Sequence, residues 1–505
     1  MSVQIFLQGK LLGIDEFLLA APRRAPASPP ESDCPPPSLS GRHLEAPGAD
    51  VEERVFAGRS QWIGLLSEVL PRALLAELGL ARVLLGTSGG GQFLVVLPGE
   101  ARPQAEEFLK GAAAGIGRLS GGCIRLVWSI TENLGDWTVV RRRLFDELAR
   151  KRASPAAAVG SEFFAGSPEP VAPADDYFGE ELGLRLRDAS TVGWSPDAPG
   201  IILAKPGKHS WSLGASPDAL PLARHTAPGD DGLQPAGRQT LGARAAGRPI
   251  WGVLRGDVDN FGIRIRRAQS IEEHIQLSVV YKQFFAGELE ILCSMPESWR
   301  KVTILYSGGD DFAVYGAWDA LIPLAREIQR LFHRLTEENL KDFPGREGKT
   351  VTMALSLANS PDTPLSEVYE RAGVNLEVAK VTDKDCLSLL GRTLEWKQLA
   401  DAAELKEELT QMITEFDCQP QYLRDLCGIY RESQWTRRGR ESDSPAGRPW
   451  RFHRRLNRIL GVSRDREFQK ARTGLIADLA GRNTGNLKLR PSGRVALEWA
   501  RLSIE

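Results

Sequence analysis

Cysteine and histidine are scarce in this 505-residue chain, six of each. Cys34, Cys123, Cys293, Cys386, Cys418 and Cys427 form no Cys-x-x-Cys pair, so neither a zinc ribbon nor a disulfide framework is signalled. A reducing cytoplasm is the expected compartment. Excess charge is missing too: 64 Lys and Arg against 65 Asp and Glu leave a net charge of -1. No global field therefore recruits nucleic acid, and any such contact must be local. Long apolar runs are also lacking. The N-terminal stretch MSVQIFLQGKLLGIDEFLLA is broken by Gln8, Lys10 and Asp15 and has neither a charged leader region nor a small-residue cleavage site. No stretch reaches the length needed to span a bilayer, so no membrane partner is expected.

The length implies roughly three or four domains of about 150 residues. Two Pro-rich runs, residues 21–48 (with Ser) and 153–175 (with Ala and Gly), read as loops or linkers. Residues 217–248, rich in Gly, Pro and Ala and without periodicity, read as a mobile insertion. The division that follows is a first unit over 1–152 with its Pro-rich insertion at 21–48, a linker and small unit over 153–248, a second unit over 249–398, and a helical region over 399–505. The fold of 180–248 is left open.

The second unit is the most regular. PIWGVLRGDVDNF, from Pro249, is an apolar strand ending in carboxylates; helical spacing of Ile271, Ile275, Val279, Phe284 and Leu289 follows. KVTILYSGGDDFAVYGAW reads as a hairpin with acids at its tip and with positive φ available at its glycines. A helix over 319–335, a strand over 350–358 and a helix over 364–380 complete a β-α-β-β-α-β order. That order predicts an α+β, ferredoxin-like sheet with helices on one face. Its first strand lies beside the central hairpin, which puts Asp257 next to Asp310 and Asp311.

An internal repeat sharpens this reading. LQGKLLG (7–13) aligns with LRGDVDN (254–260), and LLGTSGGGQFLVVL (84–97) with ILYSGGDDFAVYG. In the register of Ser88-Gly89-Gly90 on Ser307-Gly308-Gly309, Gly91 and Gln92 replace Asp310 and Asp311, and Lys10 replaces Asp257. The first copy keeps the turn and loses the acids. A turn with solvated acids explains GGDD alone. It does not explain a neighbouring strand that also ends in carboxylates, because such acids repel one another unless a cation neutralises them.

Joining nucleotides from a triphosphate requires an activated hydroxyl and a stabilised leaving pyrophosphate, which two divalent ions about 4 Å apart supply. Mg²⁺ or Mn²⁺ would take hard oxygen ligands from Asp257, Asp310 and Asp311. Ser307, Gly308 and Gly309 would let the triphosphate approach the backbone. Lys380, in the helix ERAGVNLEVAK, reads either as a phosphate contact or as a surface lysine; Asp259 is a weaker ligand candidate.

These residues together resemble the large palm-domain subunit of type III CRISPR RNA-guided effector complexes, the cyclic oligoadenylate synthetase. GVLRGDVDNFG resembles its Asp-x-Asp-Asn strand, LYSGGDDF its acidic hairpin, and VAKVTDKDCLSLLGRTLEW its Ala-Lys helix end with the strand and Arg-x-x-x-Trp beyond. In the first copy, FLQGKLLGIDEF is similar to the family's opening strand. FAGRSQWIGLLSEVL and SGGGQFLVVLP are similar to its Gly-Arg-Ser helix and inactive glycine hairpin. The resemblance implies two palm domains, the first degenerate and the second catalytic, and a helical C-terminal domain. It also implies ATP as substrate, two metal ions, protein partner subunits, and guide and target RNA. Two departures stand out: no His-Asp dipeptide of an HD nuclease domain is present, so DNase activity is not expected, and the inter-palm cysteine zinc site is missing.

Beyond about residue 400 a basic cluster including Arg451, Arg454 and Arg455 is interleaved with Trp450 and Phe452. It suits RNA contact or docking on a protein subunit. Two further functional readings stay open, a non-catalytic scaffold subunit and a free-standing nucleotide cyclase.

Overall fold

The computed structural model describes residues 3–20, 51–153, 174–198, 200–214, 219–382, 384–438, 454–455, 457–459, 461, 465–480 and 491–505. The first unit runs β1 (Gln4–Leu12), α1 (Ile14–Leu19), α2 (Val51–Glu77), β2 (Leu85–Gly89), β3 (Gln92–Pro98), α3 (Arg102–Leu119), β4 (Arg125–Glu132) and α4 (Trp137–Ala153). Its antiparallel sheet has the order β2-β3-β1-β4, the ferredoxin-like arrangement. Helix α2 is buried over most of its length rather than along one stripe, as a helix enclosed on all sides must be. It packs on β2 and β3 of its own sheet and on a strand of the second sheet.

A small sheet of β5 (Thr191–Trp194), β6 (Ile202–Leu203) and β7 (His209–Ser212) follows, in the order β6-β5-β7. Glu77 at the end of α2 clamps it by accepting from Lys208 Nζ at 2.7 Å and meeting His209 Nε2 at 3.0 Å. Residues 219–248 are not the mobile insertion that their composition suggests. They carry α5 (Arg238–Ala243), and His225 accepts through its backbone carbonyl from Ile304 N at 2.8 Å. The segment thus covers the open edge of the second sheet, satisfying groups that an edge strand leaves unpaired.

The second unit comprises β8 (Trp251–Val258), α6 (Phe261–Arg266), α7 (Ile271–Gln283), α8 (Leu289–Ser294), β9 (Val302–Ser307), β10 (Asp311–Ala317), α9 (Trp318–Asn339), β11 (Val351–Leu357), α10 (Leu365–Thr382), β12 (Cys386–Leu389) and β13 (Arg392–Glu395). The sheet order β13-β12-β11-β8-β10-β9 contains the ferredoxin-like set β11-β8-β10-β9, extended by a parallel strand and a hairpin. Helices cover both faces rather than one. Phe312 packs on Phe285 from the α7 side, while Arg255, on the opposite face, lies against Tyr369 of α10. The two units meet reciprocally, α2 on β9 and α7 on β2, as two copies of one fold related by a pseudo-twofold would. Helices α11 (Trp396–Thr414), α12 (Gln421–Arg438), α13 (Arg466–Ala480) and α14 (Pro491–Ile504) form the C-terminal part, with α11 packed on α14. No helix among the described residues is long and apolar enough to cross a membrane.

Candidate active site between two hairpins

Strand pairing sets the site. In the second sheet Asp257 lies opposite Asp311; in the first, Lys10 lies opposite Gln92. The strand register thus reproduces the alignment of the two copies residue for residue. Each copy also places a glycine under an aromatic ring. A Cβ on Gly9 would fall 2.2 Å from Phe93, and one on Gly256 would fall 2.3 Å from Phe312. The two hairpins then meet tip to tip, since a Cβ on Gly90 would stand 3.3 Å from Gly309 N.

Glycines 89, 90 and 91 all have positive φ, but Gly308 and Gly309 do not, contrary to the expectation for that turn. Gly308 is required for a different reason: a side chain there would meet Asp311 Oδ1 at 2.6 Å. Its N–H donates to the Asp311 carbonyl at 2.8 Å, closing the turn, and Val258 N donates to the Asp310 carbonyl at 2.8 Å, fixing Asp310 to the end of β8. The Ser307 hydroxyl donates to the Phe285 carbonyl and so anchors the hairpin to the helical layer.

Lys380 Nζ is 3.1 Å from Asp257 Oδ2 and 3.0 Å from Glu377, so it is drawn into the site and is not a free surface lysine. Asp311 Oδ2 accepts from the Tyr306 hydroxyl at 3.3 Å, and Arg255 reaches that same hydroxyl at 3.4 Å. Asp259 does not join them. It is buried and accepts from Thr350 Oγ1 and Thr352 Oγ1 at 2.7 Å each and from Asp385 N at 3.0 Å, which ties β8 to β11 and the start of β12. Its carboxylate is spent on structure, and its candidacy as a ligand is withdrawn. Arg454 is exposed and Arg455 half-buried; Arg451 lies outside the described residues.

The electrostatics are those of acids without enough counter-charge. Burial, reinforced by Asp311 and Asp259, pushes Asp257 to about 6 despite Lys380. Burial and the charges of Asp311 and Asp257 hold Asp310 well above the ordinary carboxylate range, only partly offset by Lys380 and by Lys10 from β1 of the first sheet. Asp311 is raised by burial, against the pull of Arg255 and Tyr306. Among the described residues no three metal-ligating side chains already converge on one point. Clustered, under-neutralised carboxylates are nevertheless a hard-oxygen donor set of the kind that Mg²⁺ takes, completing its shell with water and substrate phosphates.

Sequence reasoning missed Arg255, Tyr306 and Tyr369, which line the face bearing Asp311, and Lys282, which crosses from α7 to the first hairpin. The strand alternation Arg255, Asp257 offered a signal for the first of these.

Comparison with known proteins bears on the fold. Residues 250–388 match the family model for the second palm domain of Cas10/Cmr2. A Cas10/Csm1 single-strand-specific deoxyribonuclease (subtype III-A) of Enterococcus italicus is 29% identical over 174 residues, 33% of this chain and 21% of that protein. Its counterpart from Mycobacterium tuberculosis is 28% identical over 179 residues, 31% of this chain and 21% of that protein. The matches thus span about a fifth of each relative's length. Among solved structures, the Csm1–Csm4 subcomplex of a type III-A interference complex superposes with TM-score 0.70 at 16% identity, over 100% of this chain and 70% of that one. A Csm1–Csm4 cassette with the cyclic oligoadenylate cA4 superposes at 0.66, also at 16% identity and with the same coverage of both chains. Residues 250–388 are thus similar to the second palm domain of Cas10/Cmr2, and the chain as a whole shares the fold of the Csm1–Csm4 structures.

Proposed function

We propose that the chain is the signalling subunit of a type III CRISPR antiviral complex, polymerising ATP into cyclic oligoadenylate when target RNA is bound. The observation that carries this reading is the asymmetry of two sheets in the same register: Asp257 of β8 opposite Asp311 in one, Lys10 of β1 opposite Gln92 in the other. A palm that served only as a scaffold would not need to keep buried carboxylates in mutual repulsion, whereas a metal-dependent nucleotidyltransferase does.

In this reading Asp257, Asp310 and Asp311 hold two Mg²⁺ or Mn²⁺ ions. When bound, such ions lower the pKa of an attacking hydroxyl and stabilise charge on the phosphates. A 3′-hydroxyl forms the new phosphodiester bond and pyrophosphate leaves; ring closure repeats the step within one chain. Lys380 leaves Asp257 for the triphosphate, and Gly308 and Gly309 let the phosphates approach the backbone while Ser307 fixes the turn. The relatives crystallised with Csm4, with ATP and with cyclic oligoadenylates support ATP as substrate and other protein subunits as partners.

The division into palm domains at 1–152 and 249–398, an inter-palm unit at 153–248 and a helical domain at 399–505 belongs to the same proposal. So do guide and target RNA as partners, Arg451, Arg454 and Arg455 as contacts to RNA or a subunit, and a cytoplasmic location. The test is incubation of the chain, alone and in its complex with and without target RNA, with ATP or GTP and Mg²⁺. Cyclic oligoadenylate formed from ATP on target RNA is the expected result; its absence overturns the reading.

A further inference from the structure

The short helix that follows the acid-bearing strand β8 is held by the other palm. Laying residues 7–13 over 254–260 sets Gly13 on Asn260, and both take a left-handed conformation, at φ 84° and 57°, just before α1 and α6 begin. Each helix has six residues, and a helix leaves its last carbonyls without partners inside it, so an outside donor is needed. In the first copy that donor is local: Arg59 of α2 donates to the Phe17 and Ala20 carbonyls and pairs with Asp175 at 2.6 Å. In the second copy it comes from across the palm interface. Arg141 of α4, in the first palm, donates to the Ile265 carbonyl at 3.2 Å, to the Ala268 carbonyl at 2.7 Å and to the Arg266 carbonyl.

Among the described residues Arg141 meets no carboxylate; its partners are those three carbonyls. Burial and the charge of Arg266 lower its pKa, so the cation sits there against an electrostatic cost. The carbonyls and the negative end of the helix dipole offset that cost. Its own helix is firmly seated. One turn earlier, Trp137 lies between Phe6 of β1, with ring centres 5.4 Å apart, and His274 of α7, 5.3 Å away. Helix α6 is also tied to the loop before β11, because Arg264 donates to the Glu347 carbonyl at 2.6 Å and to the Gly345 carbonyl at 3.1 Å. From the same loop Gly348 N donates to the Asp259 carbonyl at 2.7 Å. Only Val258, Asp259 and Asn260 separate this doubly held helix from Asp257.

We propose that Arg141 is a positioning residue for the metal site: by capping α6 from the first palm, it fixes the turn after β8 and with it the direction of the Asp257 carboxylate. The inference rests on the two-metal reading of the site and deepens it, since it names a contact through which the degenerate palm serves the acidic one. Without the cap the three acids remain, but the end of β8 samples a wider range of positions, and a ligand set held less tightly binds its ions more weakly.

The test reads metal binding rather than turnover. Mn²⁺ affinity of the full-length chain, measured by electron paramagnetic resonance with a non-hydrolysable ATP analogue, should fall about tenfold in Arg141→Met, the lower end of what loss of a ligand-orienting group causes. The number of ions at saturation should not change, since the ligands themselves remain. Arg141→Lys keeps the charge but cannot span all three carbonyls, and should show a smaller fall. A merely structural arginine would lower the Tm of Arg141→Met and leave the Mn²⁺ affinity of the folded chain as it was; that result overturns the proposal. If Arg141→Met does not fold, Arg141→Lys decides, and wild-type affinity in it contradicts the assignment. The two readings fail distinguishably. Equal affinity in wild type and the Arg141 variants, with binding lost in Asp310→Asn with Asp311→Asn, sinks the positioning role alone. No Mn²⁺ bound by the wild type sinks the metal site, and the positioning role with it.

Discussion

Buried acid is handled in opposite ways on the two sides of the palm interface. Beside the first hairpin, Glu68 pairs with Arg72 at 2.7 Å, with Lys282 of the second palm at 2.6 Å, and with the Ser88 hydroxyl at 3.0 Å. Burial alone would raise its pKa, but Lys282 and Arg72 outweigh it and hold the group below its ordinary value. Beside the second hairpin, Asp257, Asp310 and Asp311 are all raised. One side is neutralised within the chain. The other is left short of positive charge, and strongly perturbed groups of that kind cluster where a protein acts on something else. The degenerate palm has therefore changed role: its hairpin is a structural abutment, pinned by Lys282 and seated against Gly309.

The largest expected effect breaks the acidic side. Asp310→Asn with Asp311→Asn should lower oligoadenylate synthesis by more than about 100-fold, beyond what loss of an outer-shell partner causes. Complex assembly, followed by gel filtration, should be unchanged because no core volume is lost. Synthesis at the wild-type rate would remove both acids from the site.

Next comes the neutralised side. Lys282→Met leaves Glu68 with Arg72 as its cation and should destabilise the fold by about 3 kcal/mol, as removal of one partner from a buried ion pair does. Denaturant unfolding measures this, and an unchanged midpoint would mean that the pair is not what holds the hairpin.

Asp257 should respond in the opposite direction. Its folded-state pKa of about 6 lies above the 3.8 of the free group, so the folded chain takes up this proton first. The charge therefore costs stability in full above pH 6, and the cost fades as pH falls towards 4. Asp257→Asn should stabilise the metal-free chain by roughly 1–2 kcal/mol at pH 7.5 and by nothing at pH 4. In the wild type, Mg²⁺-dependent activity should fall as pH drops through 6, because protons compete for the ligand. A stability loss in Asp257→Asn at pH 7.5 would show that Lys380 already neutralises the site.

The smallest effect concerns the C-terminal arginines. Charge reversal at Arg451, Arg454 and Arg455 should weaken assembly more at low salt than at high salt, flattening the salt dependence by close to one unit of slope per lost phosphate contact. Normal assembly at every ionic strength would reduce the cluster to a solvated face.

Much of the second palm was legible because its periodicity is strong and its strand ends in acids. The neighbourhood of Asp257 with Asp310 and Asp311 followed from the order of elements, and the degenerate copy from the alignment of Ser88-Gly89-Gly90 on Ser307-Gly308-Gly309, with Lys10, Gly91 and Gln92 in place of the acids. What escaped was tertiary. Alternation alone places Asp257 and Asp259 on one strand face, but Thr350 and Thr352 capture Asp259, and nothing local announces that. Composition made residues 217–248 look loose, yet docking on β9 orders the described part. Gly308 looked like a turn residue chosen for positive φ; its reason is the space taken by Asp311.

The most direct test of the contrast between the two hairpins is the stoichiometry of Mn²⁺ bound in the presence of a non-hydrolysable ATP analogue, read by electron paramagnetic resonance. The account predicts two ions per wild-type chain, none specifically bound in Asp310→Asn with Asp311→Asn, and two again in Gln92→Ala. Equal stoichiometry in wild type and the double Asn variant, or loss of ions on changing Gln92, would contradict the assignment of the acids at residues 257, 310 and 311 as the metal-holding half.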